Sequence, residues 1–177
     1  MREGRQCFIK NSCHWNTRME VHNLAPIYND KSTILILGSF PSVSSREGSF
    51  FYHHPQNRFW KVMAHLCNCS EPTTIAQKKQ LLLDYHIALW DVIHSCTIVG
   101  SSDQSIENVV VNDIAPLIAN SAIQRVFTNG TLATTLYRQH IEKKTNIKAI
   151  ALPSTSSANA RYSLEKLQSV WQEKIDI

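Results

Sequence analysis

Ile34-Leu35-Ile36-Leu37, stopped by Gly38, is the stretch on which the fold turns. Four apolar residues in succession are too few for a helix, and they lack the alternation of a strand with one wet face. Their length and branched side chains suit a buried strand, as found in a parallel sheet covered on both faces.

Working outward, a long loop from Ser39 to Gln56 follows, and ordered loops of that length are often functional. Phe59, Trp60, Met63 and Leu66 then recur at helical spacing, with Val62 beside them and Pro55 just before; they predict a helix from about Asn57 to Cys67. Thr74-x-x-Gln77 has the form of a capping box for a second helix through about His86. Ile87 to Ile93 predicts a second strand, and Asn112 is placed to cap a helix through Ala119. Arg125-Val126-Phe127 predicts a third strand, closed by Asn129-Gly130. Leu132, Ala133, Leu136, Tyr137 and Ile141 trace a helix face, Lys148 to Leu152 predicts a fourth strand, and Leu164, Leu167, Trp171 and Ile175 form the stripe of a terminal helix. Strands alternating with helices predict an α/β fold, a parallel sheet with helices on both faces.

The 177 residues suffice for one domain with its own core. Residues 1–23 show no clear periodicity, so residues 1–21 are read as an N-terminal extension, expected to be mobile, and 22–177 as the domain. Met1 to Lys10 has no apolar core of a secretory signal, and no apolar run approaches the roughly 18 residues of a membrane span. We therefore expect a cytoplasmic (nucleoid) or nuclear protein with no membrane partner. Five cysteines, odd in number and irregularly spaced, do not make a disulfide framework. Cys67-Asn68-Cys69 is too tight for the usual zinc spacing, so no metal is expected. The net charge of +4 permits a polyanionic partner without requiring one.

In open α/β sheets ligands bind beyond the carboxyl ends of the strands. The first strand runs into Gly38-Ser39-Phe40-Pro41-Ser42, and the second into His94 and then Gly100-Ser101-Ser102-Asp103. The third runs into Thr128-Asn129-Gly130, and the fourth into Pro153-Ser154-Thr155-Ser156-Ser157-Ala158-Asn159. Four turns rich in Gly, Ser and Asn are thus expected on one rim, offering N–H and hydroxyl donors to phosphates or base edges. The loop 39–56 adds Phe40, Phe50, Phe51 and Tyr52, followed by His53-His54-Pro55-Gln56-Asn57-Arg58. Rings that stack, amides that read an edge and cations that hold a backbone are what a pocket for an extruded base requires.

GSFPS at 38–42, YHHPQNRFWKVM at 52–63 and LPSTSSANA at 152–160 resemble the uracil-DNA glycosylase superfamily, most closely its deoxyinosine branch, the hypoxanthine-DNA glycosylases or family 6. ALWDVI at 88–93 and VFTNG at 126–130 are similar to further segments of that branch, and the resemblance covers about residues 22–175. It implies a three-layer α/β/α sandwich around a parallel four-stranded sheet, no metal and no cofactor. Phe40 stands where the mismatch-specific uracil branch has Asn, and Leu152 where several branches open the second motif with His or Asn. Ser157 stands where the deoxyinosine branch has Pro.

The resemblance further implies a monofunctional glycosylase acting on deoxyinosine in double- or single-stranded DNA, expected to be a monomer. The alternatives are uracil or xanthine as the lesion, or a catalytically silent DNA-binding module on the same scaffold. Base loss passes through an oxocarbenium-like sugar, so charge builds on sugar and leaving base. By the resemblance Asn57 is the catalytic candidate; an amide has no useful pKa and can only orient water or hydrogen-bond the base. Asn57 could equally cap the helix that Phe59 begins. The backbone of Ser39 and Phe40 is assigned to stabilising the departing base. Tyr52, Phe40 and Asn129 are assigned to holding the base, and Ser154, Thr155, Ser156, Asn159 and Arg58 to the DNA backbone. Arg161 is a further cation able to meet phosphate. Asp91 and Asp103 either face the pocket or close turns, His53 and His54 are read chiefly as loop packing, and Trp60 and Trp90 as core.

Overall fold

A computed structural model describes residues 18–177, so Cys7, Cys13 and the extension through residue 17 lie outside the described residues. In chain order the strands are β1 (Arg18–Val21), β2 (Ile34–Gly38), β3 (Ile87–Asp91), β4 (Ile93–Ile98), β5 (Glu107–Val111), β6 (Arg125–Asn129) and β7 (Ala149–Leu152). The α-helices are α1 (Val43–Glu47), α2 (Phe59–Leu66), α3 (Ile75–Asp84), α4 (Ala115–Ala119), α5 (Thr131–His140), α6 (Glu142–Thr145) and α7 (Leu164–Lys174).

β2 is buried along its whole length and lies inside a parallel sheet of order β3-β2-β6-β7. Its side chains divide by the strand period of two. Ile34 and Ile36 pack with Phe59 and Met63 of α2 and Trp171 of α7. Leu35 and Leu37 pack with Leu117 of α4 and Ala133 and Tyr137 of α5. A three-layer α/β/α sandwich results, because a strand apolar on both faces needs a helix layer on each. Burying each such large side chain contributes roughly 1.5–3 kcal/mol of transfer free energy.

Several boundaries differ from the sequence reading. The expected strand 87–93 is two strands: β3 ends at Asp91, and β4 leaves for a separate antiparallel sheet of order β1-β4-β5. Asn112 does not cap α4; its Nδ2 donates to the carbonyls of Asp91 and Ile93, 2.9 and 3.2 Å away, pinning the point where the chain changes sheets. Arg18–Val21, expected in the extension, form β1 against β4. The loop 39–56 contains α1, capped by Ser42. The Thr74–Gln77 capping box forms as read, with α3 ending at Asp84 rather than His86. Among the described residues the cysteines are free, and burial pushes the Cys67 thiol up to about 12. No helix among the described residues is long and apolar enough to cross a membrane.

Candidate active site

The sheet order reverses direction between β2 and β6, so a crevice opens beyond their carboxyl ends, at Gly38 and Asn129. A pocket of about 820 Å³ occupies it, within the size range of small-molecule sites. All four expected turns reach it: Ser39 and Phe40 from the first, Asp103 from the second, Asn129 from the third, and Ser154, Thr155, Ser156 and Asn159 from the fourth. Tyr52, Asn57 and Asp91 complete the wall. His53 and His54 are exposed and do not line it.

Asn57 sits just before α2, and its orientation follows from its partners. Its Oδ1 accepts the Phe59 N–H at 3.0 Å and the Thr155 hydroxyl at 3.0 Å. Two donors on one atom identify that atom as the oxygen, so the Nδ2 hydrogens are the part left for a ligand. Thus Asn57 supports the helix start and lines the pocket at once.

Thr155, expected at the DNA backbone, is turned inward. It is fully buried and tied on three sides: its N–H donates to Asn129 Oδ1, its Oγ1 accepts from Asn129 Nδ2, and its hydroxyl donates to Asn57. Asn129, assigned to the base, therefore has its oxygen and one amide hydrogen engaged by Thr155. Arg58 was also assigned to DNA. Its guanidinium instead donates to four backbone carbonyls of the second motif: Thr155 at 3.2 Å, Ser156 at 2.5 Å, Asn159 at 3.1 Å, and Tyr162. A planar fork with several donors suits such a clamp, and little of it is left for phosphate. Asn159 Nδ2 adds a bond to Ser154 O at 2.9 Å, and Trp171 Nε1 ties Pro153 O to α7 at 3.0 Å.

Ser154 and Ser156 are held differently. Their Oγ atoms accept the N–H of Ser156 and of Ala158, which leaves each hydroxyl hydrogen free to donate outward. Ser157, Ala158, Ala160 and Arg161 form the exposed crest of this loop. Gly130 begins α5 at φ +104, and a Cβ there would press on Ser154 at 3.2 Å, so glycine is needed to bring β6 and this loop together.

Tyr52 stands at φ +50, an unusual conformation for a large side chain. Its ring stacks on Phe59, centroids 4.0 Å apart. One face is thus used inside the protein. Its hydroxyl is buried without a hydrogen-bond partner. Burial and then the Asp91 charge raise the phenol's pKa above its ordinary value, while the nearby Asn129 side chain pulls it the other way. Phe50 and Phe51 both pack into the core, and Phe40 is buried with Arg46 over its ring at 5.4 Å. Trp60 is core, as expected, whereas Trp90 is half-buried with its Nε1 on Leu24 O.

Two carboxylates face the pocket. Asp103 accepts the Ser39 hydroxyl at 3.1 Å. Solvent reaches it, yet the concave wall desolvates it enough to raise its pKa; Ser39 pulls the other way and Asp91 adds a smaller upward push. Asp91 is buried and pairs with His22, Nε2 to Oδ2 2.9 Å. His22 went unread in the sequence because a lone histidine near an aperiodic segment carries no spacing signal. Beyond β2 the N–H groups of Ser39 and Phe40 have no acceptor among the described residues, while the carbonyls of Gly38 and Ser39 take Val92 and Ile93. No group of three potential metal ligands converges among the described residues.

Residues 25–174 match the family model of the Uracil DNA glycosylase superfamily. A hypoxanthine DNA glycosylase of Methanosarcina acetivorans is 29% identical over 148 residues, covering 82% of this chain and 92% of the relative. One from Methanosarcina barkeri is 27% identical over 157 residues, covering 88% and 98%. The solution NMR structure of a Methanosarcina acetivorans protein provisionally called a uracil DNA glycosylase superposes with a TM-score of 0.74 at 26% identity, covering 88% of this chain and 98% of that one. Fold and sequence agree: the chain belongs to the Uracil DNA glycosylase superfamily.

Proposed function

We propose that the protein is a monofunctional DNA glycosylase that hydrolyses the N-glycosidic bond of deoxyinosine in DNA after extruding the nucleotide. The observation that carries this is Asn57, fixed by Phe59 and Thr155 so that its amide hydrogens serve a pocket whose wall also holds the uncommitted Ser39 and Phe40 N–H groups. Those donors suit the negative charge that grows on hypoxanthine as the C1′–N9 bond breaks; losing one such donor typically costs on the order of 100-fold in rate. The oxocarbenium-like sugar is reactive enough that water needs placement more than a strong base. Asp103, on the same wall, is a carboxylate able to take that water's proton. The two relatives named hypoxanthine DNA glycosylase support the choice of lesion.

On this reading the Ser154 and Ser156 hydroxyls and the crest 157–161 meet the DNA backbone, and Arg58 shapes the loop that carries them. Duplexes with single hypoxanthine, uracil or xanthine lesions test the reading. Alkali-sensitive sites appear at hypoxanthine with enzyme; cutting at uracil with none at hypoxanthine refutes the lesion assignment.

A further inference from the structure

At the floor of the pocket two polar oxygens stand side by side without partners. Asp91 is 3% exposed, and its Oδ2 is taken by His22. Its Oδ1 has no hydrogen-bond partner among the described residues and borders the pocket. A Cβ added at Gly38 would lie 2.1 Å from this Oδ1 and 2.9 Å from the buried, unpartnered Tyr52 hydroxyl. The absence of a side chain at Gly38 is what lets both oxygens crowd the end of β2. Natural proteins rarely leave a buried hydroxyl such as that of Tyr52 unsatisfied unless a ligand or water completes it.

The pair has a definite chemical complement. A carboxylate only accepts and the phenol can donate, so the matching ligand presents an N–H beside a carbonyl oxygen. Hypoxanthine has this edge in N1–H and O6, and uracil has it in N3–H and O4. Adenine and cytosine, the parents, carry a lone pair at the same ring nitrogen and an amino group in place of the oxygen. Deamination therefore converts a mismatch with Asp91 and Tyr52 into a match.

We propose that Asp91 and Tyr52 read the edge of the extruded base, Asp91 Oδ1 accepting the ring N–H and Tyr52 donating to the adjacent carbonyl, and that His22 is the positioning residue for that acceptor. The proposal rests on the reading of the pocket as a base pocket. The role of His22 follows from its own hydrogen bonds. The Leu24 N–H donates to Nδ1 at 3.1 Å, so Nε2 carries the hydrogen given to Asp91. That fixes which side of residue 91 must be an acceptor.

Asp91→Asn then has a directional outcome. His22 retains the amide oxygen, and the NH2 turns toward the base, opposing a ring N–H and matching a lone pair. Single-turnover excision of hypoxanthine should fall by about 100-fold or more, and free adenine should displace free hypoxanthine in NMR-monitored binding to the variant. In the Asp91→Asn, His22→Phe double variant the amide is free to rotate, and part of the hypoxanthine preference returns. Tyr52→Phe keeps the ring, removes an unsatisfied buried hydroxyl, and should melt no lower than the wild type while excising hypoxanthine at least about 10-fold more slowly. Unchanged preference in Asp91→Asn, no return in the double variant, or wild-type excision by Tyr52→Phe each overturns the proposal. If the wild type excises no lesion but binds free hypoxanthine over adenine, the glycosylase reading fails and this one stands. If it binds neither base or does not discriminate, this one fails as well.

Discussion

Replacing Arg58 separates two roles that one cation could have. In the structure its guanidinium bonds the carbonyls of Thr155, Ser156, Asn159 and Tyr162, while the backbone N–H of Arg58 also reaches Thr155 O at 3.1 Å. A hydrogen bond from a charged donor contributes about 1.5–3 kcal/mol. The four do not add, because carbonyls on a half-buried loop recover water when the side chain leaves. Arg58→Met is therefore expected to lose about 3 kcal/mol, roughly a 6–12 °C drop in Tm for a chain of this size. Arg58→Lys keeps the charge but has one nitrogen for four acceptors, so it should recover less than half of that loss. Thermal melts of both variants, with DNA affinity measured across a salt series, provide the assay. A phosphate contact contributes a slope of about 0.9 in log K against log salt. If Arg58→Lys and Arg58→Met both melt like the wild type while Arg58→Met binds with a slope shallower by about that amount, Arg58 is a phosphate ligand and the clamp is wrong.

The same geometry sets further outcomes. Asn57→Asp keeps an acceptor for Phe59 and Thr155 but removes both amide hydrogens, so it should fold normally and excise at least about 100-fold more slowly in single-turnover kinetics; a wild-type rate would remove Asn57 from the mechanism. Gly38→Ala places a Cβ against Asp91 and should lower Tm and abolish excision together, whereas full activity would mean the floor of the pocket is not used. Asp103 titrates above its ordinary value, and its proton-accepting form is the ionised one, so the excision rate should rise with pH through that raised pKa. Asp103→Asn should erase this limb of the pH profile, and Ser39→Ala, which removes the group that lowers the pKa, should move it further up. The folding contribution has the opposite sign: a raised carboxyl binds its proton more tightly in the folded state, so stability from Asp103 is lost as pH rises through the folded pKa.

The parallel sheet was legible because β2 is apolar on both faces, and only a strand between two helix layers satisfies that pattern. The antiparallel sheet was not. β5 is mostly exposed and β1 is four residues with Met19 and Val21 outward, so neither shows the period that burial imposes. The β3–β4 junction was hidden because apolar residues resume at Val92 and Ile93 straight after Asp91, while the backbone changes sheets. At the site, the strand-end turns located the pocket, yet residue type did not reveal allegiance. Thr155, Asn129 and Arg58 have the chemistry of DNA ligands and use it to hold one another and the second motif. His22 and Asp91 meet across 69 positions of chain, and only the fold brings them together.

Hydrolysis of the N-glycosidic bond is measured most directly by the quantity of base released. A duplex with a single deoxyinosine, incubated with excess enzyme and resolved by mass spectrometry, should yield free hypoxanthine and an abasic strand in equal amounts, with the sugar-phosphate chain intact until alkali is added. Intact deoxyinosine after prolonged incubation, or strand breakage without free hypoxanthine, would contradict the account.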